Sequence, residues 1–285
     1  SLLILSVGLA YRTRIEARLA HNYAGRVQAH YLSVGGIERA KALFLQAETS
    51  PSTMMHLTHF RGSAGDERIF GQIQDFDSKD GMTIEYCIRD ELAHLNLMKS
   101  DPANWAVLDC VSEACRAAII DWIDNDEYPG PDGAETDYYG GLEVPYIAKN
   151  NPCVVLRELL FLRGVSPGLY SGEDLNRNLI LDENEGDGRV TLPPDNGDGE
   201  LDLGLIDVFT TYGDGKLNIN TVPGTILSVL PGLDDQAISG ILAHRAGSDG
   251  RLGTDDDVSI TSAEDIARVK GLSELQVELL TQYCC

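Results

Sequence analysis

The segment 174–185 reads DLNRNLILDENE, and its oxygen-bearing residues have the spacing of a twelve-residue EF-hand-type calcium loop. The residues at ligand positions 1, 3, 5, 7, 9 and 12 are Asp174, Asn176, Asn178, Ile180, Asp182 and Glu185. Position 7 contributes a backbone carbonyl, so an isoleucine is acceptable there. Position 6 departs from the pattern, because Leu179 stands where a sharp turn favours glycine. The spacing predicts a Ca²⁺ site, and a solvated acidic loop is the alternative.

A second acidic group surrounds the sequence DWIDND, at the end of a predicted helix. Carboxylates at a helix C-terminus oppose the helix macrodipole, so a bound cation there would relieve repulsion. The predicted ligands come from the helix end and from the Gly/Pro turn that follows it, and they are Asp121, Asp124, Asp126, Glu135 and Asp137. Solvated turn chemistry is again the alternative.

A third candidate is the segment SDGRLGTDDD, which concentrates four acids within a short loop. Its predicted ligands are Asp249, Asp255 and Asp257, with Asp256 between the last two. As before, a hydrated turn explains the same composition without a metal.

The overall charge limits the classes of partner. The chain carries 45 acidic and 22 basic residues, a formal net charge of −23. Phosphate backbones bind to clustered lysine and arginine, so this balance predicts no nucleic-acid partner. No phosphate-binding loop or HExxH motif occurs, and we predict that the protein is not an enzyme.

The amino-terminal region has the pattern of one long helix. Apolar residues recur at three- and four-residue steps from Ile15 to Val34, and the pattern runs to about Glu48. The opening SLLILSVGLAY is too short to cross a bilayer, which needs about 20 residues. We interpret it as the end of a longer hydrophobic anchor helix. Residues 67–77 and 82–88 are predicted to form a β-hairpin around the turn SKDG.

The carboxy-terminal region reads as compact helical units. Thr221 is predicted to cap a helix, and a further helix is predicted from Asp234 to Arg245. Ser262 with Asp265, and Ser273 with Gln276, have the spacing of capping boxes. The turns PGLDD and KGLSE lack the second glycine of a DNA-binding helix-hairpin-helix, and acidic residues stand where phosphate would approach.

Several long motifs together resemble the K-type minor pseudopilins of bacterial type II secretion. They are RTRIEARLAHNYAGRVQAHYLSVGGIERA, DWIDNDEYPGPDGAETDYY, VPYIAKNNPCVVLRELLFLRGV, LNINTVPGTILSVLPGLDDQAISGILAHRAG and SAEDIARVKGLS. The first resembles the lower part of the pseudopilin helix, and the others resemble the family's acidic loop and carboxy-terminal part.

The resemblance implies an α+β fold with a long amino-terminal pilin-like helix and a small antiparallel sheet. It also implies a large inserted helical domain with helix-hairpin-helix or SAM-like units, which carries calcium. The expected regions are a truncated anchor helix at 1–48, a pilin-like hairpin region at 49–100, a calcium-binding helical domain at 101–216 and tandem helical hairpins at 217–285.

By the same resemblance, the helix is anchored in the inner membrane and the head lies in the periplasm. The implied role is that of the pseudopilus tip subunit, in complex with I- and J-type minor pseudopilins. Two other functions stay open: a secreted calcium-dependent binding module, and a helix-hairpin-helix DNA-uptake receptor.

Overall fold

The computed structural model describes residues 2–47, 89–174, 181–190, 195–250, 252 and 256–284. They belong to two units, one containing the amino-terminal helix and the other the described residues from Arg89 onward. Helix α1 spans Leu2–Ala47. At about 1.5 Å per residue it is about 70 Å long, and the helix predicted to about Glu48 is confirmed. In the described ranges, no helix has the length and apolarity needed to cross a membrane.

The second unit is rich in short helices. Its strands are β1 (Leu95–Asn96) and β2 (Phe209–Thr210). Its 3₁₀ helices span Glu91–Ala93, Pro102–Val107 and Leu156–Phe161. Its α-helices are α2 (Glu113–Ile123), α3 (Thr136–Gly140), α4 (Pro167–Ser171), α5 (Leu205–Val208), α6 (Gly224–Leu227), α7 (Asp235–Arg245), α8 (Ala263–Arg268) and α9 (Glu274–Tyr283).

The two strands pair in parallel, with Leu95 opposite Phe209 and Asn96 opposite Thr210. The Asn96 amide reinforces this pair by donating to the backbone carbonyls of Tyr212 and Gly213, at 2.8 and 3.1 Å. The predicted antiparallel hairpin at 67–77 and 82–88 lies outside the described residues. The sheet that the structure does describe is parallel, and it joins segments far apart in the sequence.

Helix α2 shows why this part of the chain folds as it does. Ser112 caps its first turn by accepting a hydrogen bond from the Cys115 amide. Its buried apolar residues are Cys115, Ala118, Ile119 and Trp122, which recur at the three- and four-residue steps of one helical face. Burying this face orients the last turn of the helix, where Asp121 and Asp124 stand.

The carboxy-terminal helices begin largely where their capping residues predict. Ser273 and Gln276 form the predicted capping box at α9, and Ser262 accepts from the Asp265 amide at α8. The predicted helix cap at Thr221 is wrong, because α6 begins after Pro223. The Thr221 hydroxyl instead donates to the Asp90 carboxylate at 2.7 Å.

Asp90 ties the start of the second unit to its carboxy-terminal half. Besides Thr221, its carboxylate accepts from the Asn218 amide at 2.7 Å and from the Leu92 backbone at 2.9 Å. The Asn218 backbone N–H donates in turn to the Leu92 carbonyl at 2.9 Å. One carboxylate therefore satisfies donors from two distant segments of the chain.

We predict that Asp90→Ala lowers the free energy of unfolding by about 1–3 kcal/mol, because it leaves part-buried donors on Asn218 and Thr221 without their acceptor. Urea unfolding measures the loss. The control is Asp109→Ala, at an exposed position, where we expect a change of about 0.5 kcal/mol or less. Equal unfolding midpoints for the two variants would contradict this role of Asp90.

Candidate metal centre

Three of the predicted ligands come together in the structure. One carboxylate oxygen from each of Asp121, Asp124 and Glu135 lies within 4.8 Å of the others. In the part of the chain that the structure describes, no other group of three or more His, Cys, Asp or Glu residues meets this spacing. We refer to these three residues as the carboxylate centre.

The other two predicted ligands in this region lie apart from the centre. The Asp126 carboxylate accepts a hydrogen bond from the Tyr128 amide at 2.9 Å, and both residues are exposed. Asp137 is exposed in the first turn of α3. Nothing in the described geometry brings either carboxylate into the group within 4.8 Å.

The end of α2 positions two members of the carboxylate centre. Asp121 and Asp124 are three residues apart, so they share one face of the helix. Asp124 is the residue at which the helix ends, and its backbone N–H donates to the Ile120 carbonyl at 3.0 Å. Glu135 approaches from the following loop and immediately precedes α3.

Two glycines allow that loop to fold against Asp121. The Gly130 amide donates to both Asp121 oxygens, at 3.2 and 3.1 Å. A Cβ atom placed on Gly133 would lie 1.9 Å from Asp121 Oδ2, so only glycine permits this approach. The guanidinium of Arg163 donates a hydrogen bond to the Gly133 carbonyl at 3.0 Å. The sequence PGPDG indicates a turn, but it does not by itself reveal these roles.

Two members of the carboxylate centre are buried, and one of these two, Glu135, lacks hydrogen-bond donors in the described structure. Asp121 is 3% and Glu135 is 2% exposed. Both Glu135 oxygens are buried without a hydrogen-bond partner in the described structure. A buried carboxylate in this state is costly unless it is protonated or bound to a cation. The donor set is oxygen alone, which suits a hard divalent cation such as Ca²⁺ or Mg²⁺.

The protonation of the centre follows from this crowding. Burial, together with the nearby charges of Asp124 and Asp121, raises the pKa of Glu135 from 4.5 to about 7. Burial also raises the pKa of Asp124, and the charges of Asp126 and Asp121 act in the same direction. A cation bound at this centre would therefore displace a proton from Glu135 near neutral pH.

Aromatic side chains enclose the region next to Asp121. The ring of Trp122 meets Tyr139 edge to face at 5.4 Å, and Tyr139 stacks on Tyr146 at 5.1 Å. Tyr139 and Trp122 belong to the buried core. Charges close to such an apolar core interact more strongly than charges in water.

The EF-hand-type loop is described only at its two ends. Asp174 and Glu185 are each 1% exposed, and the Asp182 amide donates to Glu185 Oε2 at 3.2 Å. Asn176, Asn178 and Ile180 lie outside the described residues. Burial of the first and last ligand positions is compatible with a metal loop, and calcium binding here stays a prediction.

In the third predicted site, Asp256 holds the loop together. Its Oδ2 atom accepts from the Ser248 amide and hydroxyl, both at 2.6 Å, and from the Asp249 amide at 3.0 Å. Asp255 lies outside the described residues, and Asp249 and Asp257 do not form a group of three close carboxylates with another described acid. Metal binding at this loop also stays a prediction.

Comparison with known proteins matches the segment that contains the carboxylate centre. Residues 104–172 match the family model of type II secretion system (T2SS) protein K. A type II secretion system protein K from Pectobacterium carotovorum subsp. carotovorum is 42% identical over 59 residues, which are 21% of this chain and 18% of that protein. The family model thereby confirms the resemblance to the K-type family for residues 104–172. The 59 residues shared with the Pectobacterium protein span less than a fifth of that protein's length.

A solved structure also shows similarity over most of the chain. It is the GspK-GspI-GspJ complex from the enterotoxigenic Escherichia coli type 2 secretion system. The match has a TM-score of 0.42 and 15% identity, and it covers 88% of this chain and 83% of the chain compared. A TM-score at this level is too low to establish a shared fold.

We predict that Glu135→Gln flattens the pH dependence of stability measured in EDTA. The folded-state pKa of about 7 exceeds the ordinary 4.5. Protonated Glu135 therefore contributes to the free energy of unfolding. This contribution is complete below pH 4.5, the ordinary pKa, and it is lost as the pH rises through the folded-state pKa of about 7. Urea unfolding between pH 4.5 and 8 measures the difference between variant and wild type.

The control is Glu143→Gln, since Glu143 is an exposed acid, and we expect it to keep the wild-type profile. A Glu135→Gln profile parallel to that of the wild type would show that Glu135 titrates normally in the folded protein.

Proposed function

We propose that this protein is a K-type minor pseudopilin, an assembly subunit of the type II secretion pseudopilus rather than an enzyme. The observation that carries the proposal is the family match at 104–172, the segment in which the structure gathers the carboxylate centre. In this proposal the protein acts by binding. It presents ordered surfaces to other subunits and supports the export of folded proteins.

We further propose that the centre holds Ca²⁺ through Asp121, Asp124 and Glu135. When bound, the ion supplies positive charge that offsets the repulsion among the three carboxylates. Ca²⁺ accepts six to eight oxygens in flexible geometry, whereas Mg²⁺ retains several waters and a strict octahedron. A buried centre assembled from a helix end and a loop favours the ion that loses its waters more readily.

The residues of the centre would then fix the surface on either side of it. Asp121 and Asp124 hold the end of α2, and Glu135 holds the start of α3. With these joined, the loop 125–134 has both ends fixed. The side chain of Tyr138 is exposed on α3. The guanidinium of Arg163 makes a cation–π contact with its ring, with Cζ 5.0 Å from the ring centroid.

For the partners we propose I- and J-type minor pseudopilins, the subunits named in the Escherichia coli complex. Helix α1 would pack against their helices, because Leu19, Tyr23 and Tyr31 leave apolar surface exposed along it. We propose that the protein is anchored to the inner membrane before assembly and that the second unit lies in the periplasm. We also place the protein at the pseudopilus tip, as the resemblance to the K-type family implies.

The finer architecture belongs to the same proposal. The helices α6 to α9, with left-handed Gly232 and Gly271 in the turns before α7 and α9, fit helix-hairpin-helix or SAM-like units inserted into a pilin fold. Asp234 caps α7 through the Ala237 amide at 2.8 Å. A carboxylate at that position opposes phosphate binding, so these units would serve packing rather than DNA recognition.

We predict that Ca²⁺ raises the melting temperature of the wild type and that Glu135→Gln loses most of the rise. At a Ca²⁺ concentration about 100 times Kd, binding to the native state adds about 2.7 kcal/mol. For a protein of this size the shift is several degrees. Differential scanning fluorimetry in Ca²⁺ and in EDTA measures it.

The matched control is Asp137→Asn at the exposed position in α3, which should retain the full calcium response. If Ca²⁺ stabilises Glu135→Gln as much as the wild type, the ion binds elsewhere, and the loop 174–185 becomes the next site to mutate.

We predict that the protein co-elutes with I- and J-type pseudopilins in size-exclusion chromatography. In Ca²⁺ we expect a single complex, and in EDTA a weaker one, because the loop 125–134 is then held less firmly. A protein that stays monomeric with both subunits, yet binds soluble ligands only in Ca²⁺, would support the secreted binding module instead.

A further inference from the structure

A buried polar atom on the segment after the carboxylate centre lacks a hydrogen-bond partner in the described structure. The side-chain oxygen Oδ1 of Asn150 is buried, and no hydrogen bond satisfies it in the described structure. Buried acceptors of this kind are rare in folded proteins, and an ion or a water usually explains them. Asn150 belongs to the motif VPYIAKNNP, which does not by itself predict a ligand.

The rest of the Asn150 side chain is firmly placed. Its Nδ2 atom donates to the Asp126 backbone carbonyl at 2.5 Å. This bond determines which end of the amide is nitrogen, because a carbonyl can only accept. The oxygen Oδ1 is therefore the free end of the group, and it is directed away from the Asp126 carbonyl.

The segment 148–150 is hydrogen-bonded to residues close in sequence to two members of the centre. At Asn150 it contacts the backbone of Asp126, two residues beyond Asp124. At Ala148 its backbone N–H donates to the Thr136 hydroxyl at 3.2 Å, one residue beyond Glu135. The chain thus bridges the two loop ends that carry the carboxylates.

The backbone of Asn150 supports a specific role for its side chain. Its φ of 45° is in the left-handed region, which few residues other than glycine adopt readily. Asparagine tolerates this conformation better than most side chains. Glycine would adopt it at still lower steric cost, so the conformation alone does not require an amide here.

We propose that Asn150 Oδ1 is a fourth protein ligand of the cation held by Asp121, Asp124 and Glu135. The inference rests on the proposed calcium centre. Three carboxylates already bring three negative charges to a divalent ion. A neutral amide oxygen adds a coordination bond without further repulsion, and amide oxygens are common Ca²⁺ ligands.

The test compares Asn150→Gly with Asn151→Gly. Glycine at 150 keeps the left-handed backbone accessible and removes only the amide. Asn151 is the exposed neighbour, whose side chain donates to the Lys149 carbonyl at 3.3 Å, and it serves as the matched control. The probe is Tb³⁺, a Ca²⁺ substitute whose luminescence is excited through the ring of Trp122 next to Asp121.

We expect Asn150→Gly to weaken Ca²⁺ binding on the order of 10-fold, measured by competition with Tb³⁺. Luminescence lifetimes in H₂O and D₂O report the waters on the ion, and their number should rise by about one as water replaces the lost oxygen. Asn151→Gly should match the wild type in both measurements.

Asn150→Gly loses the hydrogen bond to Asp126, which lowers its stability with or without metal. The melting temperature is therefore compared only as the difference between its values in Ca²⁺ and in EDTA. If Asn150→Gly keeps wild-type affinity and water count, Asn150 is not a ligand, although the calcium centre stands. If the wild type binds neither ion, or if Glu135→Gln binds as well as the wild type, the centre itself is wrong and this inference fails with it.

Discussion

The negative charge gathered by Asp121, Asp124 and Glu135 cannot stay buried without compensation. Two of these residues are almost inaccessible to water, and Glu135 has no hydrogen-bond donor in the described structure. Protonation of Glu135 offers one form of compensation, and a divalent cation offers another. The local chain allows compensation by a cation, because the carboxylates come from the end of α2 and from the residue before α3. The glycine-containing loop between these helices turns back and brings them together.

The surrounding structure holds this arrangement from several sides. Arg163 fixes the Gly133 carbonyl, and the aromatic rings of Trp122, Tyr139 and Tyr146 pack against one another next to the helix end that carries Asp121. Farther along, Lys149 pairs with Glu158 at 2.6 Å in a half-buried ion pair. Glu158 also accepts the amides of Val154 and Val155, so the segment leading away from Asn150 is anchored at its far end.

These constraints explain how an acidic protein can have ordered loops. With a net charge of −23, the chain gains little from charge pairing alone. Its acids are used instead as hydrogen-bond acceptors for backbone amides, as Asp90, Asp256 and Glu158 show. In the proposed pseudopilus subunit, calcium would complete this scheme where amides are missing, and partner contact would depend on loops that the ion holds in place.

The sequence by itself determined the local features. Helix α1, the caps at Ser262 and Ser273, and the membership of Asp121, Asp124 and Glu135 in one acidic group all follow from periodicity and from interactions over a few residues. The family resemblance was likewise carried by contiguous motifs. The segment Leu156–Phe161 forms a 3₁₀ helix rather than an α-helix, and that choice depends on small differences in packing.

Only the tertiary structure decided which acids meet and what lies between them. The parallel pairing of β1 with β2 joins strands of two residues each, too short to leave a pattern in the sequence. The exclusion of Asp126 and Asp137, the need for Gly133 and the placement of Asn150 depend on how the loop 125–134 folds over α2. Such contacts are set by burial and by distances in space between residues far apart in the chain, and sequence spacing does not encode them.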